Sequence, residues 1–155
     1  MKPISVKGRC RCGRAAFVLC EEPIAFYLCH CTDCQAESGS AFGQSMIVRR
    51  EAIDSIEGPV HEHTVEWRNG QRSYVTHCAN CLTHLWGRSE EMPQIRGLNA
   101  GSLEATSELQ PYGNMWARSK RDWVVLAPGP VHDQQPEDPL AMVRAWAERP
   151  TCASE

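Results

Sequence analysis

The segment Cys29-His30-Cys31-Thr32-Asp33-Cys34 places three cysteines within one short turn and decides how the chain is organised. Two further motifs belong with it, Cys10-Arg11-Cys12 and Cys78-Ala79-Asn80-Cys81, and together they hold most of the cysteines. Two cysteines with one or two residues between them can both reach one metal ion, whereas a disulfide between such near neighbours is strained. We therefore predict that these cysteines bind metal rather than form disulfides.

Ligand counting divides these sulfurs into two groups. A closed structural zinc site has four protein ligands, whereas a catalytic zinc has three and an open position. The two pairs make the first group, Cys10, Cys12, Cys78 and Cys81, and the triplet Cys29, Cys31 and Cys34 makes the second. The group of four would also close a long loop and so stabilise the fold. We predict two zinc ions per chain, one structural and one a candidate for catalysis.

The position left open in the triplet has several possible occupants. Water or a substrate thiol could bind there, and the ion would lower the pKa of either. Alternatively His30, Cys20 or a backbone group fills the position, and the site is only structural. We place His30 beside the ligands rather than among them, and Cys20 and Cys152 outside both groups. Thr32-Asp33 is expected to begin a helical turn that brings Cys34 next to Cys31.

The composition excludes some classes of function. A chain of 155 residues fits one domain, and its 42% hydrophobic and 23% charged residues are ordinary for a globular protein. The net charge of −3 and the isoelectric point near 6.1 argue against a nucleic-acid partner. We find neither a signal-peptide pattern at the N-terminus nor an apolar run that would span a membrane. The expected location is the cytoplasm, where thiols stay reduced.

Short strands separated by turn residues predict a mainly β fold, a sandwich or a barrel-like sheet. The most specific local signal is Asn69-Gly70 between the apolar-polar runs 64–68 and 71–76, which predicts a hairpin with a type I′ turn. The other predicted strands are Ala15–Leu19, Ser45–Val48, Leu85-Trp86, Ile95–Leu98 and Trp123–Leu126.

A different pattern follows Pro128-Gly129-Pro130. Asp138 is placed to cap a short helix with Pro139 at its first position and with Leu140, Val143 and Ala147 on its packed face. Pro150 would end this helix. We therefore expect a zinc-binding domain over residues 1–130 and a C-terminal extension with a short helix over residues 131–155.

The order of these motifs resembles that of one known family. The matching segments are Gly8–Gly13, Cys29–Gln35, Ser38-Gly39, Cys78–Cys81, Gly101–Glu104, and Pro111, Trp116, Ser119-Lys120 and Trp123. They are similar to the glutathione-dependent formaldehyde-activating (GFA) family, also called the CENP-V/GFA domain, over roughly residues 7–125.

The resemblance implies an Mss4-like, zinc-stapled β-sheet fold. It assigns Cys10, Cys12, Cys78 and Cys81 to a structural zinc, and Cys29, Cys31 and Cys34 to a second zinc as the catalytic site. It also implies a carbon–sulfur lyase activity of the S-(hydroxymethyl)glutathione synthase type, with glutathione and formaldehyde as partners. Two positions depart from the family pattern: Leu82 stands where the family usually has glycine, and Asn114 where it often has histidine.

Three functional hypotheses follow. The first is an enzyme whose zinc-bound thiolate adds to an aldehyde, with Arg49, Arg118 or Lys120 compensating the negative charge. The second is a non-catalytic, zinc-stabilised binding module, because a fold alone does not fix a function. The third is a redox protein that uses Cys20 and Cys152, or an iron site in four cysteines.

Overall fold

The computed structural model describes residues 3–67, 70–104 and 109–150, and these residues form a mainly β protein, as predicted. The strands are β1 (Pro3–Arg9), β2 (Ala16–Glu21), β3 (Ala25–Cys29), β4 (Gly43–Arg49), β5 (Ile53–Glu57), β6 (Val60–Glu66), β7 (Arg72–Cys78), β8 (His84–Ser89), β9 (Ile95–Asn99) and β10 (Asn114–Met115). The helices are α1 (Thr32–Ser38) and α2 (Ala141–Ala147). Three short 3₁₀ turns lie at Arg50–Ala52, Ala100–Ser102 and Ala117–Ser119.

The chain forms two compact units, and the first comprises Met1–Pro23 and Met46–Leu109. In this unit β1, β2 and β5 make an antiparallel sheet in that order, and β6 to β9 follow one another as antiparallel neighbours. The ring of Phe17 meets the ring of Trp86 edge to face at 5.4 Å. Both side chains are buried, so this pair anchors the core of the first unit.

The hairpin predicted around Asn69-Gly70 is confirmed, but its loop differs from the prediction. Strands β6 and β7 pair from Val60 opposite Cys78 to Glu66 opposite Arg72. The amide of Trp67 donates to the carbonyl of Gln71 at 2.9 Å, so the strands close over the three residues 68–70. Asn69 lies outside the described residues, and Gly70 has the positive φ of 80° that favours glycine.

The second unit comprises Ile24–Ser45 and Gln110–Glu155. Its two short strands, β3 and β10, pair in parallel, with Leu28 opposite Asn114 and Cys29 opposite Met115. Helix α1 follows β3 after two residues, and helix α2 packs the Trp146 ring against Phe26 at 6.2 Å. The division expected at residue 130 stays a prediction.

Two details of the predicted secondary structure are wrong. Residues 123–126 form no strand: Trp123 and Val125 are 77% and 90% exposed, and the amide of Val124 closes a turn onto the carbonyl of Arg121. The run of apolar letters therefore does not mark a buried strand here. The pairing of Lys120 Nζ with the carbonyl oxygens of Arg121 and Val124 holds this turn instead.

The C-terminal helix exists, but a different face of it is packed. Asp138 accepts a hydrogen bond from the Leu140 amide, as a capping residue does, yet the helix begins at Ala141. Its buried residues are Met142 and Trp146, which are one turn apart, while Leu140 is 54% exposed. Among the described residues no helix is long and apolar enough to cross a membrane.

Candidate metal centres

The first cysteine cluster joins two distant parts of the first unit. Cys10 and Cys12 follow β1, while Cys78 ends β7 and begins a turn that reaches Cys81, which we call the knuckle (Cys78–Cys81). The four sulfurs all lie within 4.8 Å of one another. Two of the separations are 3.5 Å, from Cys10 to Cys12, and 3.9 Å, from Cys12 to Cys78. Sulfurs that share a tetrahedral zinc at about 2.3 Å stand about 3.8 Å apart, so the donor set fits the ion.

Hydrogen bonds aim the sulfurs of this cluster. The Ala15 amide donates to Cys10 Sγ at 3.3 Å, and Asn80 Nδ2 donates to Cys12 Sγ at 3.4 Å. Arg14 holds the Asn80 amide from behind by donating to its Oδ1 at 3.0 Å. Such donors stabilise the thiolate form that a metal needs and fix the direction of each sulfur.

The Thr83 hydroxyl does the same for Cys81. Its oxygen accepts from the Arg11 amide at 3.1 Å and lies 3.1 Å from Cys81 Sγ. The hydrogen bond from this hydroxyl, aided by the Thr83 backbone, lowers the pKa of Cys81 to about 5. Cys81 is therefore ready to bind a cation as a thiolate at neutral pH.

Leu82 adopts a left-handed backbone conformation that glycine accommodates more easily. Its φ is 59°, and its amide donates to the Cys78 carbonyl at 3.0 Å to close the knuckle. The side chain is 73% exposed and so gains little from packing. Leucine in this left-handed conformation is under backbone strain.

The second cysteine cluster is local in sequence and lies in the second unit. Cys29 ends β3, Cys31 caps helix α1, and Cys34 lies in the first turn of that helix, as predicted. The three sulfurs lie within 4.8 Å of one another. The Cys34 amide donates to Cys31 Sγ at 3.3 Å, because the N-terminal amides of a helix lack partners within it.

A hydrogen bond within the triplet shifts the pKa values of Cys29 and Cys34 in opposite directions. A hydrogen bond from Cys34 lowers the pKa of Cys29 to about 6 and correspondingly raises the pKa of Cys34. Burial also raises the pKa of Cys31. The hydrogen bond therefore favours the thiolate form of Cys29 and the protonated form of Cys34.

His30 lies between two of these cysteines, but its side chain is fully buried and belongs to a separate hydrogen-bond network. Its Nε2 lies 3.2 Å from Oδ1 of Asn114. The Asn114 amide is fixed by Ala127, whose amide donates to Oδ1 at 3.1 Å and whose carbonyl accepts from Nδ2 at 2.8 Å. Oδ1 is thus an acceptor, so Nε2 of His30 carries the hydrogen. Nδ1 is buried without a hydrogen-bond partner.

Two further residues, Tyr27 and Gly43, affect the surroundings of the triplet. Tyr27 has a strongly raised pKa because it is buried and because negative charge on Cys29 and Cys34 opposes its ionisation. It is therefore a neutral phenol at physiological pH. A Cβ on Gly43 would lie 3.1 Å from the Cβ and 3.3 Å from the Sγ of Cys34, so glycine leaves the space that Cys34 needs.

The remaining candidate residues lie outside both clusters. Cys20 donates to the Glu51 carbonyl at 3.5 Å, and Cys152 lies outside the described residues. Arg49 pairs with Glu21 at 2.7 Å, and the Arg118 guanidinium stacks on Trp116 at 4.9 Å. The eight cysteines in the described part of the chain form no disulfides.

A mainly β fold with one group of four thiols and one group of three defines a class of protein that could hold a metal ion in each group. The chain belongs to the GFA family, described as glutathione-dependent formaldehyde-activating enzyme, whose family model matches residues 5–119. The group of four and the group of three cysteines that the sequence predicts are the two groups that the structure brings together. Sequence reasoning had not found the contact between His30 and Asn114 or the space beside Gly43.

Proposed function

We propose that the protein is a zinc-dependent, carbon–sulfur lyase-like enzyme that forms and cleaves the adduct of a small thiol with an aldehyde. The observation that carries this proposal is the group of three thiols, Cys29, Cys31 and Cys34, in addition to a separate group of four. Three protein ligands leave a coordination position for a substrate, and four do not. The family description supports glutathione as the thiol and formaldehyde as the aldehyde.

The reaction balances without a further reactant. The thiol loses its proton, its sulfur bonds to the aldehyde carbon, and the electron pair of the carbonyl π bond moves to oxygen, which takes up a proton. The reverse reaction breaks the same carbon–sulfur bond and returns the proton to sulfur. Zinc held by the triplet would keep the substrate thiol in its reactive thiolate form near neutral pH.

The residues around the triplet have distinct parts in this proposal. Tyr27 remains a neutral phenol, so it can donate a hydrogen bond to the aldehyde oxygen as negative charge develops there. His30 is a positioning residue: its ring is held by Asn114, which fixes the backbone between Cys29 and Cys31. The Gln35 side chain supports the same backbone by donating to the His30 carbonyl at 2.7 Å.

Charge balance is the main demand on this site. Three thiolates around a divalent ion leave one net negative charge, and a substrate thiolate would add another. Lys120 and Arg118 are the cations of the second unit that we propose for compensation. Lys120 Nζ is held by two carbonyl oxygens, and the Arg118 guanidinium lies over the Trp116 ring.

Exchanging Lys120 for methionine should raise the KM for the thiol more than it changes kcat.

The test is the exchange rate between ¹³C-formaldehyde and its glutathione adduct, measured by NMR exchange spectroscopy. The zinc-loaded wild-type protein should accelerate exchange above the spontaneous rate, and Cys34→Ser should remain folded and lose this acceleration. Cys20→Ser is the matched control, because Cys20 belongs to neither cluster, and it should keep full activity.

Two outcomes would count against the proposal. A wild-type protein with both clusters loaded that leaves the exchange rate unchanged is not an enzyme for this adduct. A Cys34→Ser protein that fails to fold would favour the non-catalytic, zinc-stabilised binding module, in which both metals serve the structure only. X-ray absorption at the zinc edge, with and without glutathione, then tells whether a substrate sulfur joins the triplet.

A further inference from the structure

Four of the six histidines belong to the first unit and have no part in the proposed reaction. His61 and His63 are on β6, His77 is on β7, and His84 begins β8. The strand register places His61 opposite His77, and His77 opposite His84. Residues two apart on a strand share a face, so His63 is on the same side as His61. We call these four residues the histidine row.

The imidazole rings of this row are in continuous contact. The ring centroids are 6.4 Å apart between His61 and His63, 4.7 Å between His63 and His77, and 5.4 Å between His77 and His84. The first two pairs are nearly parallel, with interplanar angles of 13° and 22°. His61 and His63 are exposed, and His77 and His84 are half-buried, so the row runs from the surface inwards.

A glycine keeps space open at the inner end of the row. Gly87 pairs with Gly97 across β8 and β9. A Cβ at Gly87 would lie 3.9 Å from Nε2 of His84. Any larger side chain there would reach over the imidazole.

Imidazole nitrogens are ligands that late transition metals prefer, and the row offers four imidazoles on neighbouring strands. A metal–nitrogen bond is about 2.0–2.1 Å, so two nitrogens on one ion are about 3.3 Å apart. Two histidines at alternate positions of a strand, with a third opposite them, can meet this condition by rotating their side chains. In the described residues, however, only the two cysteine clusters bring three ligand atoms within 4.8 Å. An ion must therefore draw the exposed rings of His61 and His63 toward His77.

We propose that His61, His63 and His77 form a third metal site, with His84 behind them, which is separate from both cysteine clusters. Its ligand class is a divalent ion that prefers imidazole, such as Ni²⁺, Cu²⁺ or Zn²⁺. Because two of the ligands are exposed and must reorient, the ion exchanges readily and is bound less tightly than an ion held by four thiolates. The site extends the metal chemistry of the chain beyond the proposed lyase reaction.

The test is calorimetric titration of Ni²⁺ into protein whose cysteine clusters already hold zinc. A colorimetric zinc indicator in parallel samples checks that nickel does not displace that zinc. We expect one Ni²⁺ per chain to bind without zinc release. The double variant His61→Ala/His63→Ala should weaken this binding by at least about tenfold. Both substituted residues are exposed, so the sheet should fold as before.

His132→Ala is the matched control, because it removes a histidine of the second unit. It should bind Ni²⁺ as tightly as the wild type. The proposal is overturned if the wild type binds no Ni²⁺ without releasing zinc, or if the double variant binds it equally well. It is also overturned if His132→Ala weakens binding as much as the double variant does, since the histidine row would then be only a packed stack of rings.

Discussion

The backbone φ angle of Leu82, in the knuckle, should lower the free energy of unfolding by a measurable amount. Leu82 has a φ of 59°, where an L-residue with a side chain is strained by about 1–2 kcal/mol relative to glycine. Leu82→Gly relieves this strain but also loosens the unfolded chain, which offsets part of the gain. We expect the free energy of unfolding of the zinc-loaded protein to increase by about 1 kcal/mol in urea titrations.

Leu82→Ala separates the two contributions of this residue. It removes the exposed apolar side chain and keeps the strained φ, so its stability should stay close to that of the wild type. If Leu82→Gly were no more stable than Leu82→Ala, the strain at this position would be negligible.

The side chain of Asn114 is completely buried. It accepts from His30 Nε2 and from the Ala127 amide, and it donates to the Ala127 carbonyl. Asn114→Ala would leave these three partners unsatisfied, which should lower the free energy of unfolding by about 3 kcal/mol. Gln110→Ala truncates an exposed amide and should change stability little. Equal losses in the two variants would contradict the network described for His30.

At the scale of elements, the start of β4 and the first turn of α1 are tightly packed in the second unit. Gly43→Ala would place a methyl group 3.3 Å from Cys34 Sγ, so the sulfur must move. We expect the variant to fold but to retain about one zinc per chain instead of two, since the triplet loses its convergence. Elemental analysis after gel filtration measures this ratio.

Gly97→Ala provides the comparison for that substitution, because the nearest atom to its new Cβ would be a carbonyl oxygen at 3.9 Å. This variant should keep the zinc content of the wild type. A Gly43→Ala protein with two firmly bound zinc ions would mean that the triplet tolerates displacement of Cys34.

The hairpin defines what the sequence could and could not predict about elements. Asn69-Gly70 correctly predicted two paired strands, but a two-residue turn there would pair residue 68 with residue 71. The structure pairs Glu66 with Arg72 instead, a shift of one residue. Such a shift moves every side chain to another partner, so the predicted register would set His61 opposite Cys78 rather than His77. The histidine row therefore became visible only in the structure.

The cysteine motifs were easier to interpret because their spacing along the chain already indicates which sulfurs can reach one metal ion. Ligand counting assembled Cys10 and Cys12 with Cys78 and Cys81 although Cys12 and Cys78 are 66 positions apart. The predicted secondary structure was wrong where tertiary contacts determine which residues are buried. The apolar run 123–126 lies in a turn held by Lys120, and Met142 and Trp146 occupy the buried side of the C-terminal helix.

At the scale of the whole molecule, metal ions in the two clusters should stabilise the chain to different degrees. The group of four closes a long loop in the first unit, so an ion there removes much conformational freedom from the unfolded chain. The triplet closes only a short turn in the second unit, so an ion there adds little by this route. We therefore expect Cys34→Ser to remain folded, whereas loss of Cys78 should be strongly destabilising.

If the triplet holds zinc as proposed, its zinc affinity should depend on pH, with a sign that the thiol chemistry fixes. Metal binding needs thiolates, and the pKa of Cys29 is already lowered to about 6, whereas the pKa values of Cys31 and Cys34 are raised. Between pH 6 and 9 an incoming zinc ion therefore displaces about two protons. Its affinity should fall about 100-fold for each unit by which the pH is lowered, and more steeply below pH 6, where Cys29 is protonated as well. Competition with a chelator of known proton dependence, applied to the second and weaker zinc equivalent at pH 7 and pH 8, measures this slope. Equal affinity at the two pH values would show that the triplet binds zinc with its thiols already ionised, which is incompatible with the proton that Cys34 shares with Cys29.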